Sequence, residues 1–319
     1  MSGEVQSLQV PAEHDGTRLD LFLVASLPGA SRGVVRRLLE QGAVRVGGQR
    51  RKKGALVRAG EVVEVDGYVR PDQWSPRLDP TVPISVLYKD QDLIAVDKPA
   101  GMACHPLVPD EVGTVASGLV AAFPEVCRAG DVRREAALVH RLDSTTSGVL
   151  IFARRRRSFR DLVSQMRGQG GAVKTYDALV EGDASSVATI DLPLTSRNKR
   201  VVVSSSPSTD GGPPSRPAST LVRAVRRLGE HTLVEVEIGA GQRHQIRAHL
   251  AAVGHPIVGD SLYGARTSLG LVRPFLHARR VHLRSPSSGE PLCIEAPLAD
   301  DLTETLGRLE RGEADQGGG

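Results

Sequence analysis

Apolar residues recur along this chain at two spacings, and the alternation between them divides it into segments. Leu19, Phe22, Leu23 and Leu27 fall at helical intervals over residues 17–27, before a Pro28–Gly29 break. Ser31 is placed to cap a second helix over residues 31–42, which Gly42 ends. AVRV, a Gly47–Gly48 turn and EVVEVD (61–66) then alternate as short strands. A stretch rich in Pro and charge over residues 71–83 reads as a linker. Beyond it, ISVLY (84–88) and DLIAVDK (92–98) form a hairpin around Asp90–Gln91, residues 114–123 form a helix stopped by Pro124, and ALVH (137–140) leads as a strand into HRLDSTTSGVLIFA (140–153). In that last segment VLIFA is a buried strand, and the arginines at 154–157 open a helix running to Met166. AVKTYDALVEG (172–182) is a strand, residues 219–228 and 231–238 are two antiparallel strands, and 239–254 is a Gly-rich turn, a helix and a terminating Gly. Residues 204–220, rich in Ser, Pro and Gly, are expected to form a mobile loop, and the acidic, Gly-rich residues 310–319 a disordered tail.

Composition narrows the function classes. The chain has 319 residues, enough for a large core and a small module, and only 3% aromatics, so the core rests on Leu, Val, Ile and Ala. No apolar run approaches a membrane span, MSGEVQSLQV lacks a signal pattern, and the three cysteines are too widely spaced for a disulfide framework or a Cys-based zinc site. A cytoplasmic protein without a membrane partner is expected. The net charge is +4 and its basic side chains are mostly Arg, whose forked donors suit phosphate and whose plane stacks on bases; a coding bias would give the same composition. Residues 31–58 hold nine Lys or Arg against one acid. Such a run is either a solvated face or a footprint for a phosphate backbone, with Arg36, Arg37, Arg51 and Lys52 its candidate contacts.

The chemistry centres on residues 140–153, where His140, Arg141 and Asp143 precede Thr-Thr-Ser-Gly and an apolar strand. An Asp at such a turn, close to an Arg, ionises readily, though capping the turn would demand the same residue. His244 and His249 are five apart, not the four that places two imidazoles on one helix face, so no metal site is expected. No dinucleotide fingerprint or phosphate-binding loop is present either, and no cofactor is expected.

HRLDSTTSGVLIFA resembles the catalytic motif of RluA-type RNA pseudouridine synthases. DLIAVDKPAGM followed by HP resembles that family's opening segment, K-x-Y-x-A-L-V its second motif and GQRHQIRAHL its third, with Gln242 in place of the usual Arg after the Gly. HPIVGDSLYG and FLHARRVHLRSP follow its C-terminal pattern, and residues 1–70 resemble the small RNA-binding domain named after ribosomal protein S-four. The resemblance implies an α+β fold: a mixed, mainly antiparallel sheet with peripheral helices over residues 84–309, preceded by a small α/β module. It implies isomerisation of uridine to pseudouridine in structured RNA, most readily large-subunit ribosomal RNA with transfer RNA the other option, by a monomer. Asp143 is then the catalytic carboxylate, Arg247 its partner and Tyr176 a platform for the base. Arg141 would fill the space of the extruded base, His140 and Thr146 would shape the motif loop, and these three with Lys174 of the Tyr motif would be substrate-binding residues. A non-catalytic RNA-binding or ribosome-assembly protein and a carboxylate-dependent hydrolase are the competing classes.

Overall fold

The computed structural model describes residues 5–70, 73–169, 171–197, 200–204, 215–266 and 269–313. Its first part runs β1 (Gln6–Gln9), α1 (Leu19–Ser26), α2 (Arg32–Glu40), β2 (Val44–Val46), β3 (Gln49–Arg50) and β4 (Val62–Val65). The Ser31 hydroxyl accepts the Val34 N–H at 3.3 Å, which satisfies one open donor of α2, and Gly42 leaves the helix at φ +71°. The strands form an antiparallel sheet in the order β1-β4-β2-β3, and Phe22, Leu23, Val35, Val63 and Val65 pack between it and the two helices. β1 and β3 escape a reading of the sequence because β1 (QSLQ) holds a single apolar residue and β3 is only two residues long.

Residues 73–83 contain neither helix nor strand, but the segment is anchored. The Asp79 carboxylate accepts the Gly113 N–H at 3.0 Å, and Val82 is buried against Gly118, where an added Cβ would come within 2.8 Å of it.

The second part comprises β5 (Ser85–Lys89), β6 (Leu93–Lys98), α3 (Val115–Ala122), α4 (Val126–Ala129), β7 (Ser147–Ala153), α5 (Arg156–Ser164), β8 (Val173–Glu181), β9 (Thr189–Asp191), β10 (Leu194–Arg197), β11 (Arg200–Val203), β12 (Ser219–Leu228), β13 (His231–Ile238), α6 (Gln245–Ala252), β14 (Leu276–Arg284), β15 (Pro291–Glu295) and α7 (Asp300–Glu310). A sheet of nine strands runs β5-β6-β7-β14-β8-β13-β12-β9, with β15 paired to β14. Every pairing is antiparallel except β7 with β14, so the α+β, mainly antiparallel architecture expected from the sequence is the one observed.

Two cores flank the first half of this sheet. Ile94, Val96, Leu150 and Phe152 point to α3, while Leu93, Ala95, Val149 and Ile151 point to α5. Covering both faces explains why VLIFA reads as an unbroken apolar run. In the other half, β8, β12 and β13 bury Leu179, Val180, Val222, Val234 and Val236 against Leu250 of α6 and Leu302 of α7.

The seam between the halves is β14. It pairs with β7 only through His277–Ser147 and Ala278–Gly148. A Cβ on Gly148 would lie 2.2 Å from the Ala278 oxygen, and φ at Gly148 is +113°, so only glycine allows this approach. On its other side β14 carries an irregularity between His277 and Arg280, opposite Tyr176 of β8.

Three expectations need correction. ALVH is not a strand: Ala136 and Ala137 take left-handed dihedrals, so only a single bridge forms, from Leu138 to Phe152. The loop expected over 204–220 ends earlier, because Arg216 pairs with Leu194 and Ser219 begins β12; residues 205–214 lie outside the described residues. The expected tail likewise begins late, since Glu310 is still in α7 and residues 314–319 are outside the described residues.

Candidate active site

Asp143 sits on a tight turn immediately before β7, its carbonyl accepting the Thr146 N–H at 3.0 Å. The turn is held from below by the segment after β6. Lys98, fully buried, donates its ammonium to the carbonyls of Pro99 at 2.7 Å, Met102 at 2.8 Å and Ser144 at 2.9 Å. The Gly101 N–H also reaches the Ser144 oxygen, and the Cys104 thiol bonds the Leu142 carbonyl at 3.2 Å. Burial draws the Lys98 ammonium down to about 8, while three carbonyls supply the negative ends that a buried cation requires. Lys98 thus ties down the backbone on which Asp143 rides.

Arg247 approaches from α6. Its Nη1 donates to Asp143 Oδ2 at 3.0 Å, while Nε and Nη2 grip Asp260 Oδ2 and Oδ1 at 2.6 and 2.8 Å. Asp260 is buried, so the fork is fixed before it meets Asp143. Burial disfavours the Arg247 charge, but the two carboxylates outweigh it and hold the guanidinium more firmly protonated than usual. The Tyr263 ring lies 5.1 Å from Arg247 Cζ. His244, one residue before α6, places Nδ1 3.0 Å from the Tyr263 hydroxyl and Nε2 3.7 Å from Asp143 Oδ2. Both contacts to the Asp143 carboxylate fall on Oδ2, and among the described residues Oδ1 has no hydrogen-bond partner.

A cleft opens over this group, walled by Arg141, Thr146, Tyr176, Ile238, Gln242 and Leu276. Burial, and then the Asp143 charge, push the Tyr176 phenol well above its ordinary range, so it remains neutral. Gln242 is tied to neighbouring loops: its side-chain NH2 donates to the carbonyls of Arg216 and Pro217, and its backbone N–H to the Gln245 side chain.

Of the residues singled out in the sequence, Asp143, Tyr176, Arg247, Arg141 and Thr146 meet at this cleft. His140 and Lys174 do not line it. The Nε2 of His140 accepts the Ile151 N–H at 3.2 Å, which ties the start of the motif to β7, and burial pushes its imidazole down to about 3. Lys174 is buried in β8, its ammonium 3.4 Å from the Met166 carbonyl, and burial lowers it to about 8. Arg36, Arg51 and Lys52 instead share a groove of the first sheet's module with Arg50 and Lys53. Arg37 does not line that groove; its Nη2 donates to the Leu107 carbonyl at 3.3 Å. Asp260, Tyr263, Lys98 and His244 were not foreseen as parts of the site; their separation from Asp143 along the chain has no period to reveal it. His249 faces away, bonding Thr220 and the Leu192 carbonyl, and among the described residues no cluster of His, Cys, Asp or Glu could hold a metal ion.

Comparison with known proteins identifies the family. A family model described as RNA pseudouridylate synthase matches residues 92–252, and an S4 domain model matches residues 17–63. An uncharacterized RNA pseudouridine synthase of Chloroflexus aurantiacus is 37% identical over 97% of this chain and 95% of its own. Ribosomal large subunit pseudouridine synthase C of Escherichia coli is 33% identical, covering 96% of this chain and 97% of its own. The solved structure of human RNA pseudouridylate synthase domain containing 4 has the same fold, with a TM-score of 0.57 at 23% identity over 71% of this chain and 93% of that one. With its S4 module ahead of the cleft, the chain belongs to the RNA pseudouridylate synthase family, enzymes that isomerise uridine to pseudouridine within RNA.

Proposed function

We propose that the chain acts on a uridine of large-subunit ribosomal RNA, with Asp143 as the nucleophile and the target nucleotide flipped out of its stack. The observation that carries this reading is a carboxylate at the floor of a cleft, paired on one oxygen only and oriented by a guanidinium itself fixed by Asp260. Such a group is held aimed, as a nucleophile at a sugar or base carbon must be. The isomerisation is redox-neutral: the base leaves the ribose through nitrogen and returns through carbon. Its target atoms are shielded inside a stacked helix, so the nucleotide must be extruded at a cost of about a few kcal/mol. Tyr176, neutral and in the cleft wall, supplies a face for the extruded base, and exposed Arg141 at the rim fits the vacated space. The basic groove with Arg36, Arg51 and Lys52 would grip phosphates without reading bases. The ribosomal target follows the relatives' names, and such a substrate places the protein in the cytoplasm.

Ribosomal RNA transcripts carrying tritium at C5 of uridine provide the test. Wild type is expected to release tritium and Asp143→Asn to lose release by at least about a thousand-fold, with RNA affinity the same in both. Release of free uracil would instead favour a hydrolase, and RNA binding without release from any ribosomal or transfer RNA would leave a binding protein.

A further inference from the structure

The rearrangement has a second chemical demand that Asp143, as nucleophile, does not meet. When the N1–C1′ bond breaks, its electron pair stays on N1. When the C5–C1′ bond forms, C5 still carries its hydrogen. That proton must leave, its bonding pair restoring the C5–C6 double bond, and N1 must gain one. Resting on the function proposed above, we propose that His244 is the base that takes the C5 proton and releases it for return to N1.

Tyr263 holds the imidazole in place. Its hydroxyl accepts the Val201 N–H at 2.9 Å and stands between the Val201 carbonyl at 3.1 Å and His244 Nδ1 at 3.0 Å, either of which can take its single hydrogen. Given to Val201, that hydrogen leaves the hydroxyl to accept from Nδ1 and leaves the lone pair on Nε2, the form a base requires. Nε2 lies 3.7 Å from Asp143 Oδ2 at the wall of the cleft, so a proton delivered there is stabilised at once by the carboxylate.

The surrounding charges keep the imidazole ready. Asp143 faces it from the turn before β7, Asp260 and Tyr263 from the segment after α6, and Arg243 and Arg247 from its own end of the helix. Burial lowers its proton affinity most, Asp143 opposes this, and the two arginines add to the lowering, so the ring is neutral at pH 7. The backbone of His244 is held at φ +53° and ψ 18°, in the left-handed region that His enters more readily than most side chains.

The variant His244→Asn keeps a residue that tolerates the left-handed conformation. It is compared with the full-length wild type on RNA carrying protium, deuterium or fluorine at C5 of uridine. Loss of the base should slow product formation from uridine on the order of 100-fold. A primary deuterium isotope effect should appear, because proton removal becomes rate-limiting. Consumption of 5-fluorouridine RNA, which has no C5 proton to remove, should match wild type, and the acidic limb of the wild-type rate profile should vanish. Equal slowing on uridine and 5-fluorouridine with no isotope effect would overturn the proposal and leave His244 a positioning residue for Asp143. Circular dichroism and RNA affinity equal to wild type identify a folded variant; if His244→Asn fails this check, His244→Gln takes its place. A wild type that releases no tritium would refute the function itself, whereas an active wild type with an isotope-insensitive variant would refute only the role of His244.

Discussion

Arg247 and Arg51 carry the same side chain and work in opposite surroundings. Arg247 is buried, its fork closed on Asp260 and its remaining Nη1 spent on Asp143, so removing any member leaves a buried charge without its partner. Arg51 is exposed in a groove with Arg50, Lys52 and Lys53, where the neighbouring Arg36–Glu40 pair is loose at 3.7 Å. The cleft carries geometry and the groove carries charge. A guanidinium aimed at one oxygen serves chemistry, whereas cations free to move on their stems serve a flexible polyanion whose phosphates need not sit at fixed points.

Breaking the buried side of this comparison should have the largest effect. Asp260→Asn removes the anchor of Arg247 and should destabilise the protein by about 3–5 kcal/mol in urea unfolding, with tritium release falling as Arg247 loses its aim. An unchanged midpoint with full activity would mean that Arg247 is positioned by its contacts to Asp143 and Tyr263 alone. Acid comes next. His277 is fully buried, its Nδ1 2.9 Å from the Ser147 hydroxyl at the seam, and burial holds its imidazole at about 4 against 6.5 for the free residue. Between those values the unfolded chain binds a proton that the folded chain refuses, so stability should fall as pH drops through that window, by up to about 1.4 kcal/mol per pH unit. His140 acts in the same direction. Urea midpoints identical at pH 7 and pH 4.5 would contradict this. The smallest effect on stability belongs to the groove. Arg51→Ala with Lys52→Ala should leave unfolding within about 0.5 kcal/mol of wild type yet reduce the salt slope of RNA binding by about 1.4–1.8. An unaltered slope would mean that the run is only a solvated face.

Much of this could be read from the chain because it depended on local pattern. The strands bracketing Asp90, the cap at Ser31 and the apolar β7 obey spacing rules that operate over a few residues. The link between Asp143 and Arg247, 104 residues apart, was anticipated only through the motif resemblance. Asp260 and Tyr263 were visible within GDSLYG, but nothing local distinguishes an Asp that anchors an arginine from one that caps a turn. Lys98 closes the strand DLIAVDK, where a lysine is normally solvated, and its burial depends on three carbonyls delivered by folding. Arg37 was grouped with its neighbours by charge, yet the helical twist points it at Leu107 while Arg36 remains on the open face.

The seam at β14 has a consequence for how the enzyme comes into being. Ser147 and His277 stand 130 residues apart, and the strand that joins the two halves of the sheet is among the last to leave the ribosome. Until residues 276–284 have been synthesised, β7 and β8 have no common neighbour, and no strand pairing holds the turn bearing Asp143 against Tyr176. Contacts this distant in sequence form late, because a long loop must close before they yield any stabilisation. A growing chain can therefore fold its S4 module and engage RNA well before it possesses a cleft.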